Sequence, residues 1–375
     1  MNFDLEPKYK TIQNAALDLA RQIEPMAIEA DGLSFVHDGV LNALKHSGLS
    51  RLMVPAQYGG TFEAIDPLAI CVAREAMMAT SSHLDSLFAL QGIGSFAITV
   101  AGSDEQRNQW LPKIAEVDVL GALALTEQEA GSDLKAISTE ISTTDGGLLL
   151  NGSKAYISNA GASAYFIVLA KEDAGYSTIL VPADSDGVST KPTPELIAPH
   201  ILGDVYFDNV CLPESARLGA PGEGLKNALA TLGVFRVSVA GAAVGLAQAA
   251  LDEAVRHTST RVQFGRPLAR LGPVAQMLAD CWTEIEMARL ITYRAAQMAC
   301  DDPSASLNHS SMAKLAASEM ASRVVDRCVQ MMGRWGLEHQ SKIERLYRQA
   351  RPMRIYEGSS EVLRLGIAKQ LLLER

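Results

Sequence analysis

The chain has 375 residues, of which 48% are hydrophobic and 20% are charged, and its formal net charge is -10 with a pI of about 5.3. A chain of this length and composition can bury a large core in two or three structural domains. The acidic balance, without a basic stripe, argues against a nucleic-acid partner. The first residues are acidic where a signal peptide would be basic, so we expect a cytoplasmic protein.

The sequence favours neither a metal site nor a nucleophilic serine. The seven histidines show no metal-binding spacing such as HExxH, and Ser153 lacks a GxSxG context. The cysteines lie far apart without a CxxC pair, which predicts buried thiols in a reducing compartment. They are Cys71, Cys211, Cys281, Cys300 and Cys328.

The predicted elements form three successive blocks. From about residue 8 to 114, long segments with helical spacing are interrupted by glycines and by Pro67, which predicts packed helices. From about residue 121 to 221, short apolar or alternating runs separated by turn residues predict strands. After Gly224 the helical spacing returns. This order, without βαβ alternation, predicts a mostly α fold with a central β domain.

Two sequence patterns within these blocks could be mistaken for a dinucleotide-binding loop and a membrane span. Residues 92–97, GIGSFA, satisfy the GxGxxA pattern of a dinucleotide-binding loop, but they continue a helical run instead of following a strand. We therefore interpret them as close helix packing. The most apolar stretch, 237–251, falls short of the roughly 18 residues that suggest a membrane span, so it predicts a buried helix.

The segment RIYEGSSE at 354–361 contains the strongest candidate for a catalytic group. Glu357 lies between an apolar-aromatic pair and Gly358, which lets the backbone approach a ligand closely. Apolar neighbours would desolvate the carboxylate and raise its pKa toward that of a useful general base. The alternative is a solvated loop glutamate.

Three further segments precede the segment at 354–361 along the chain. They are LTEQEAGSD at 125–133, LNGSKAYISN at 150–159 and RVQFGRPL at 261–268. Together with 354–361, they resemble the signatures of the acyl-CoA dehydrogenase family, and the resemblance spans nearly the whole chain. It implies a helical N-terminal domain at 1–120, a central β-barrel domain at 121–222 and a C-terminal four-helix bundle at 223–375.

The resemblance also implies a mechanism. In this family a glutamate removes the pro-R α-proton of an acyl thioester, the β-hydride passes to N5 of FAD, and a trans-2-enoyl product remains. Glu357 matches that base, and its backbone N–H would polarise the thioester carbonyl together with a flavin hydroxyl. Some branches place the base immediately before an arginine on a helix; here Phe235 precedes Arg236, and phenylalanine cannot accept a proton.

The resemblance assigns flavin contacts residue by residue. Leu125 and Thr126 would bind the pyrimidine edge, and Ser132 would lie near the pyrophosphate and the bound thioester. Tyr156, Ile157 and Ser158 would cover the ring and reach N5, with Tyr156 and Ser158 replacing the usual Trp and Thr. Ser359 and Glu361 would also reach the cofactor.

A second set of matched residues would hold the pyrophosphate and adenine half of a flavin that belongs to a neighbouring subunit. The set comprises Arg261, Phe264, Gln330 and Gly333. For Arg261 an ordinary surface arginine is the alternative. The chain departs from the family pattern at Gly272, where Gln is usual, and at Arg334-Trp335, where a second glycine commonly follows Gly333.

Fewer residues match the family at the positions that bind the substrate. Arg236 matches an arginine of the substrate channel, and Gly358 lies beside the base. Gly233 replaces an aspartate that often contacts pantetheine, so both coenzyme A and an acyl carrier protein remain open as the thioester carrier. Asp85 aligns with a substrate-binding arginine of dicarboxylyl-specific relatives, which predicts selection of a hydroxylated or cationic acyl group; a solvated helix carboxylate or cap is the alternative.

The predicted function is that of an FAD-dependent acyl-CoA dehydrogenase, forming a homotetramer and reoxidised by an electron-transfer flavoprotein. Two alternatives remain. One is a relative acting on a carrier-bound or sulfinated acyl thioester, and the other is a flavin-binding scaffold without catalytic activity.

Overall fold

The computed structural model describes residues 4–301 and 306–373, and the chain divides into two compact units. The first unit contains Met1–Asp31, Pro67–Asp85 and Arg236–Arg375. The second contains Gly32–Asp66 and Ser86–Phe235. Each unit thus combines segments that are distant in sequence.

The α-helices occur in two groups along the chain, one on each side of the central strands. The first group is α1 Pro7–Ile23, α2 Ala27–Ala30, α3 Asp38–Ser47, α4 Pro67–Met78, α5 Ser82–Ile93, α6 Phe96–Ala101 and α7 Asp104–Ala115. The second group is α8 Gly224–Thr260, α9 Gly272–Asp301, α10 Leu307–Met332, α11 Lys342–Ala350 and α12 Ser360–Leu373.

The strands lie almost entirely between these groups, which confirms the predicted central β domain. They are β1 Gly121–Ala124, β2 Glu140–Thr144, β3 Gly147–Ser158, β4 Tyr165–Glu172, β5 Gly175–Pro182, β6 Val188–Pro192, β7 Leu202–Leu212 and β8 Arg217–Leu218. A short hairpin of β9 Val262–Gln263 and β10 Arg266–Pro267 follows α8.

One sheet of the second unit contains β1 to β8. Its strand order is β6-β7-β3-β2-β4-β5-β8, and β1 pairs in parallel with β4. The antiparallel pair of β3 and β7 runs from Leu148 opposite Leu212 to Ser158 opposite Leu202. Alternate side chains of these strands form an apolar core, as expected when one face of a strand is buried. The far end of β3 carries three of the predicted flavin residues.

The glycines of the GIGSFA segment permit close packing within the second unit. A Cβ atom on Gly92 would lie 2.3 Å from the Phe235 ring, and one on Gly94 would lie 2.7 Å from the carbonyl carbon of Gly121. Phe235 itself is fully buried and packs edge-on against Phe96 at a centroid distance of 5.7 Å. The interpretation of this segment as helix packing is confirmed.

Two helical stretches, Ser82–Ala101 and Gly224–Thr260, are long and apolar enough to cross a membrane by length and composition. Most of each stretch is buried inside the protein, as in core helices. The sequence-based length argument for 237–251 was wrong, because the helix extends beyond this stretch at both ends. The prediction of a buried helix is confirmed.

The five cysteines are free, but they differ in exposure. Cys71, Cys281 and Cys328 are buried, as predicted, whereas Cys300 is partly exposed and Cys211 is exposed. The prediction of a buried thiol is wrong for Cys211, because this residue lies at an outward position in the alternating pattern of β7.

We expect Gly92→Ala to lower the free energy of unfolding by about 1–3 kcal/mol, the usual cost of overpacking a core. Alanine normally favours a helix over glycine by about 1 kcal/mol, but the added methyl group would meet both Phe235 and the sulfur of Met53 at 2.7 Å. Urea unfolding measures the difference. Gly366→Ala, at a helical glycine of α12 where a Cβ atom meets nothing within 4 Å, is the matched control. Equal stability of the two variants would contradict the close-packing account.

Candidate active site

Glu357 lies in a tight turn between a 3-10 turn at Pro352–Arg354 and the start of α12. Its φ angle is 52°, in the left-handed region that non-glycine residues seldom adopt, and Gly358 follows at 101°. A backbone strained in this way costs about 1–3 kcal/mol and persists only where its surroundings determine it. Such conformations cluster at functional sites.

Two buried cations hold this turn through its backbone. The Nε atom of Arg236 donates to the carbonyl oxygen of Glu357 at 2.8 Å, and Nζ of Lys314 donates to that of Gly358 at 2.7 Å. Arg236 also donates through Nη1 to the hydroxyl of Ser311 at 3.0 Å. The structure therefore gives Arg236, predicted to line the substrate channel, a definite part in shaping the turn.

The Glu357 carboxylate is left available by this arrangement. Its Oε2 atom is buried and has no hydrogen-bond partner within the described residues. Burial raises the pKa of Glu357 above its ordinary value, although the positive charges of Arg74, Arg236 and Lys314 oppose the shift. A desolvated, unpartnered carboxylate with a raised pKa is suited to general-base catalysis. The alternative of a solvated loop glutamate is wrong.

Lys314 is a site residue that the sequence reasoning missed. It lies on α10 and is fully buried, and burial lowers its pKa to about 8 although the charge of Glu357 opposes the shift. A signal was present, since Lys314 shares a helix face with Ser310, Ala317 and Ala321, which are all buried. A lysine within such a face is seldom buried without a partner.

Asp85 is buried and already paired. Its two carboxylate oxygens accept from Nε and Nη2 of Arg74 at 2.9 and 2.6 Å, and Nη1 of Arg74 donates to the hydroxyl of Ser238 at 2.8 Å. Burial alone would lower the pKa of Arg74, but Asp85 raises it above the ordinary value. The alternative of a solvated carboxylate is wrong. The predicted choice of a cationic acyl group loses its electrostatic basis, because Arg74 already supplies the counter-charge.

In the second unit, the predicted ring-side flavin residues lie near the start of the LTEQEAGSD segment and at the end of β3. The side chains of Thr126 and Ser158 are partly exposed, and Tyr156 is exposed with a φ angle of 56°. Ser132 is also exposed, whereas the side chain of Leu125 is buried. The side chains of Thr126, Ser132 and Ser158 and the ring of Tyr156 are therefore at least partly accessible.

Ile157 differs from its prediction. Its side chain is 2% exposed and belongs to the apolar core of the sheet, so it cannot cover a flavin ring. The cause is strand alternation, because the neighbours of an outward-facing residue in a strand point inward. Only the backbone of Ile157 remains as a possible flavin contact.

A buried ion pair fixes the LTEQEAGSD segment to β3. Lys154 donates through Nζ to Oε1 of Glu127 at 2.9 Å and to the carbonyl oxygen of Leu125 at 3.0 Å. Burial by itself would raise the pKa of Glu127, but hydrogen bonds from Thr139 and Ser138 lower it to about 2. The carboxylate is therefore charged at neutral pH and holds the backbone that carries Thr126. Both residues lie inside the quoted motifs, but the sequence did not identify them as a pair.

His200 is a further residue that the sequence reasoning missed in the second unit. Its Nε2 atom lies 3.3 Å from the hydroxyl of Ser86 and 3.5 Å from that of Ser158. The imidazole thereby orients one of the accessible hydroxyl groups. No spacing pattern in the sequence connects these three residues.

The residues predicted to serve a neighbouring subunit lie on the surface of the first unit. Phe264 is 89% exposed at the tip of the β9–β10 hairpin, with a φ angle of 51°. Arg261 is exposed at the base of the hairpin, and Gln330 and Gly333 are exposed at the end of α10. The aromatic side chain of Phe264 therefore does not belong to the core of this unit.

The two predicted cofactor residues after Glu357 mark the first turn of α12. The hydroxyl of Ser359 accepts from the N–H of Val362 at 3.4 Å, as a helix cap does. The side chain of Glu361 is 75% exposed and lies 3.8 Å from Arg364. Among the described residues, no group of three or more His, Cys, Asp or Glu side chains could hold a metal ion.

Comparison with known proteins identifies the class of protein that this fold and site define. Models of the N-terminal, middle and C-terminal domains of acyl-CoA dehydrogenases match residues 7–118, 122–210 and 222–372. The chain is 34% identical over 373 residues to cyclohex-1-ene-1-carbonyl-CoA dehydrogenase of Geobacter metallireducens, covering 96% of this chain and 98% of the relative.

Solved structures agree with these matches. Butyryl-CoA dehydrogenase of Megasphaera elsdenii is similar with a TM-score of 0.94 and 29% identity, covering 99% of this chain and 100% of that one. A chain from a structure described as the electron transferring flavoprotein of Acidaminococcus fermentans gives a TM-score of 0.95 and 29% identity, with the same coverage.

The protein is thus an oxidoreductase with the acyl-CoA dehydrogenase fold. The chain belongs to the acyl-CoA dehydrogenase family, whose members depend on FAD. The site residues fit such a cofactor, because Thr126, Tyr156 and Ser158 leave polar groups and an aromatic ring accessible. In the first unit, the orphaned Oε2 atom of Glu357 fits a proton-accepting role.

We expect Asp85→Asn to destabilise the protein by about 3 kcal/mol or more, because it leaves the buried charge of Arg74 without its counter-ion. Urea unfolding of the FAD-bound protein measures the loss. Asp18→Asn is the matched control, since Asp18 pairs with Arg21 at 2.6 Å while both side chains are about 70% exposed. Exposed pairs contribute at most about 1 kcal/mol. Equal losses of stability in the two variants would contradict the assignment of Arg74 and Asp85 as a buried ion pair.

Proposed function

We propose that this protein oxidises the α,β bond of an acyl thioester, with Glu357 as the base that removes the α-proton. The observation that carries the proposal is the buried Oε2 atom of Glu357, which lacks a hydrogen-bond partner within the described residues and belongs to a carboxylate of raised pKa. When FAD is bound, it supplies the hydride acceptor that protein side chains lack.

The proton acceptor is specified by position as well as by pKa. Phe235, at the position used for the base in other branches, is fully buried and cannot accept a proton. Among the residues that the structure describes, Glu357 is the carboxylate with a buried oxygen atom that lacks a hydrogen-bond partner. The positive charges of Arg74, Arg236 and Lys314 lower the pKa of Glu357 and so oppose the effect of burial, which raises it.

The turn around Glu357 supports polarisation of the substrate carbonyl. Both carbonyl groups of the turn, those of Glu357 and Gly358, are occupied by the side chains of Arg236 and Lys314. No hydrogen bond involves the backbone N–H of Glu357 within the described residues. It can therefore donate to a thioester oxygen, which would lower the pKa of the adjacent α-proton.

The proposed FAD contacts follow from the family resemblance, residue by residue. On the ring side, Thr126 and Ser158 would donate or accept through their hydroxyl groups, Leu125 and Ile157 would act through the backbone, and Tyr156 would cover the ring. Ser132 would lie near the pyrophosphate. Ser359 and Glu361 would approach the cofactor from the start of α12.

A neighbouring copy of the chain would complete the cofactor site. Arg261 and Phe264, with Gln330 and Gly333, are exposed and would hold the pyrophosphate and adenine half of the neighbour's FAD. An arginine fork suits phosphate oxygens. We propose a homotetramer built as a dimer of dimers on this basis.

Coenzyme A is the proposed carrier of the acyl group, and the names of the cyclohexenecarbonyl-CoA and butyryl-CoA dehydrogenase relatives support it. An electron-transfer flavoprotein is the proposed electron acceptor, supported by the similar chain from Acidaminococcus fermentans. An acyl carrier protein remains the second candidate carrier, because Gly233 replaces the usual pantetheine contact.

Within the polar Arg74–Asp85 pair, neither residue carries an unbalanced charge that would select a charged acyl group.

Glu357→Gln tests the assignment of the base. The change is nearly isosteric and removes the proton acceptor, so the rate of flavin reduction by an acyl-CoA should fall by about 10²–10⁴-fold. The measurement is anaerobic rapid mixing of the FAD-bound protein with a panel of acyl-CoAs, following the flavin absorbance.

The control for this test is Glu338→Gln, which neutralises an exposed glutamate outside the turn. We expect the control to reduce its flavin at the wild-type rate, and both variants to retain FAD. Near-normal flavin reduction by Glu357→Gln would sink the proposed mechanism. Absence of flavin reduction in the wild type by any acyl thioester would instead favour a scaffold.

A further inference from the structure

Trp335 lies at the centre of a cluster of cationic side chains on the surface of the first unit. The guanidinium carbon of Arg261 is 4.7 Å from the centroid of the Trp335 ring, and that of Arg334 is 4.3 Å from it. The ring of His257 lies 5.2 Å away at an interplanar angle of 48°. Both guanidinium groups therefore lie within the range of cation–π attraction to the same indole.

The backbone on both sides of the cluster is fixed. The N–H of Arg261 donates to the carbonyl oxygen of His257 at 2.9 Å, and its own carbonyl accepts from Leu268 at 2.9 Å. Trp335 belongs to a 3-10 segment at Gly333–Leu337, whose close packing needs a glycine: a Cβ atom on Gly336 would lie 2.6 Å from the carbonyl oxygen of Val329. The backbone that carries the indole is thereby held in place.

The donor groups of the two arginines remain uncommitted. Within the described residues, neither Arg261 nor Arg334 has a side-chain hydrogen bond or an ion pair. Their planes are engaged by the indole, whereas their N–H groups are left for a ligand. A planar guanidinium stacked in this way can still bind an anion edge-on, and it has lost rotamer freedom before the ligand arrives.

His257 contributes an aromatic ring to the cluster but no positive charge. Burial lowers the pKa of His257, and the positive charges of Arg261 and Arg256 lower it further. The lowered pKa favours the neutral imidazole, which adds no positive charge beside the two arginines.

We propose that Trp335 is a positioning residue that stacks on Arg261 and Arg334 and so presents two guanidinium groups to the diphosphate of a flavin dinucleotide bound by a neighbouring copy of the chain. This inference rests on the proposed function, which assigns Arg261 to that flavin. Two guanidinium groups match the two phosphates of a dinucleotide. The pair of residues 334 and 335 would thus compensate for the glycine that commonly follows Gly333.

The experiment measures FAD binding to the apoprotein by quenching of flavin fluorescence, in the full chain after removal of the cofactor. Trp335→Leu removes the aromatic face but keeps apolar bulk, and it should weaken FAD binding by about 3- to 30-fold, the range expected for a lost cation–π contact. Trp335→Phe keeps a ring face and should bind FAD within about 3-fold of the wild type. Trp282→Leu, which removes an exposed indole elsewhere in the chain, is the control and should leave FAD affinity unchanged.

A second variant tests the same idea without touching the packed indole. Arg334→Gln should weaken FAD binding and reduce its dependence on salt, because one exposed positive charge is lost. Trp335→Leu and Arg334→Gln should weaken FAD binding more than FMN binding, because FMN carries only one of the two phosphates and no adenylate. Equal losses for FAD and FMN, or equal losses in Trp335→Leu and Trp335→Phe, would overturn the proposal.

Coenzyme A also carries a diphosphate, so the two sources must be separated. The FAD-loaded variants are titrated with coenzyme A, and we expect an unchanged affinity; a loss confined to coenzyme A would overturn the assignment to flavin. Arg261→Ala is measured alongside. If it weakens FAD binding while Trp335→Leu and Arg334→Gln do not, only the present inference is wrong, whereas no effect in Arg261→Ala removes the assigned role of Arg261 and this inference with it.

Discussion

The hydrogen bonds from Arg236 and Lys314 to the carbonyl oxygens of Glu357 and Gly358 are the interactions on which the catalytic arrangement depends. They keep Glu357 in a left-handed conformation that would otherwise be unfavourable. They also direct two buried cations toward backbone oxygens instead of toward the carboxylate. The Oε2 atom therefore stays without a partner, and the positive charges influence its pKa only from a distance.

Buried charges fix backbone in both units, by the same physical means. In the second unit, Lys154 donates to Glu127 and to the carbonyl of Leu125, which orders the segment proposed to bind the flavin. In the first unit, Asp85 neutralises Arg74, so that one of the three cations influencing Glu357 is already balanced. Buried ion pairs contribute little net stability compared with apolar residues, but they are costly to break. Their role here is to specify one conformation at each site.

The sequence predicted the family, the fold and the central β domain, because these depend on residue patterns that extend over many positions. Periodicity located the strand block, and the helical context of Gly92 correctly excluded a phosphate loop. The proposed base was found from a local motif with distinctive neighbours. The division into three domains remains a prediction, since the compact units combine segments from distant parts of the chain.

Side-chain partners were harder to predict, since they depend on tertiary placement. Asp85 was interpreted without Arg74, and Glu127 and Lys154 were not recognised as a pair although both lie inside quoted motifs. Ile157 was assigned to the flavin because the motif does not distinguish the two faces of a strand. Lys314, His200 and Trp335 belong to no motif, and only distances in the folded chain connect them to the sites.

The central claim is that Glu357 is a base whose pKa is set by burial against the opposing charges of nearby cations. The most direct test is the pH profile of the flavin reduction rate in the wild type and in Lys314→Gln, which removes one of those charges while keeping a donor for the carbonyl of Gly358. A base acts only when deprotonated, so the rate should fall on the acid side with an apparent pKa above that of an ordinary glutamate. The acid side of the pH profile should move to higher pH in Lys314→Gln, because Lys314 lowers the pKa of Glu357. An acid limb at the ordinary glutamate pKa that does not move in the variant would contradict the account.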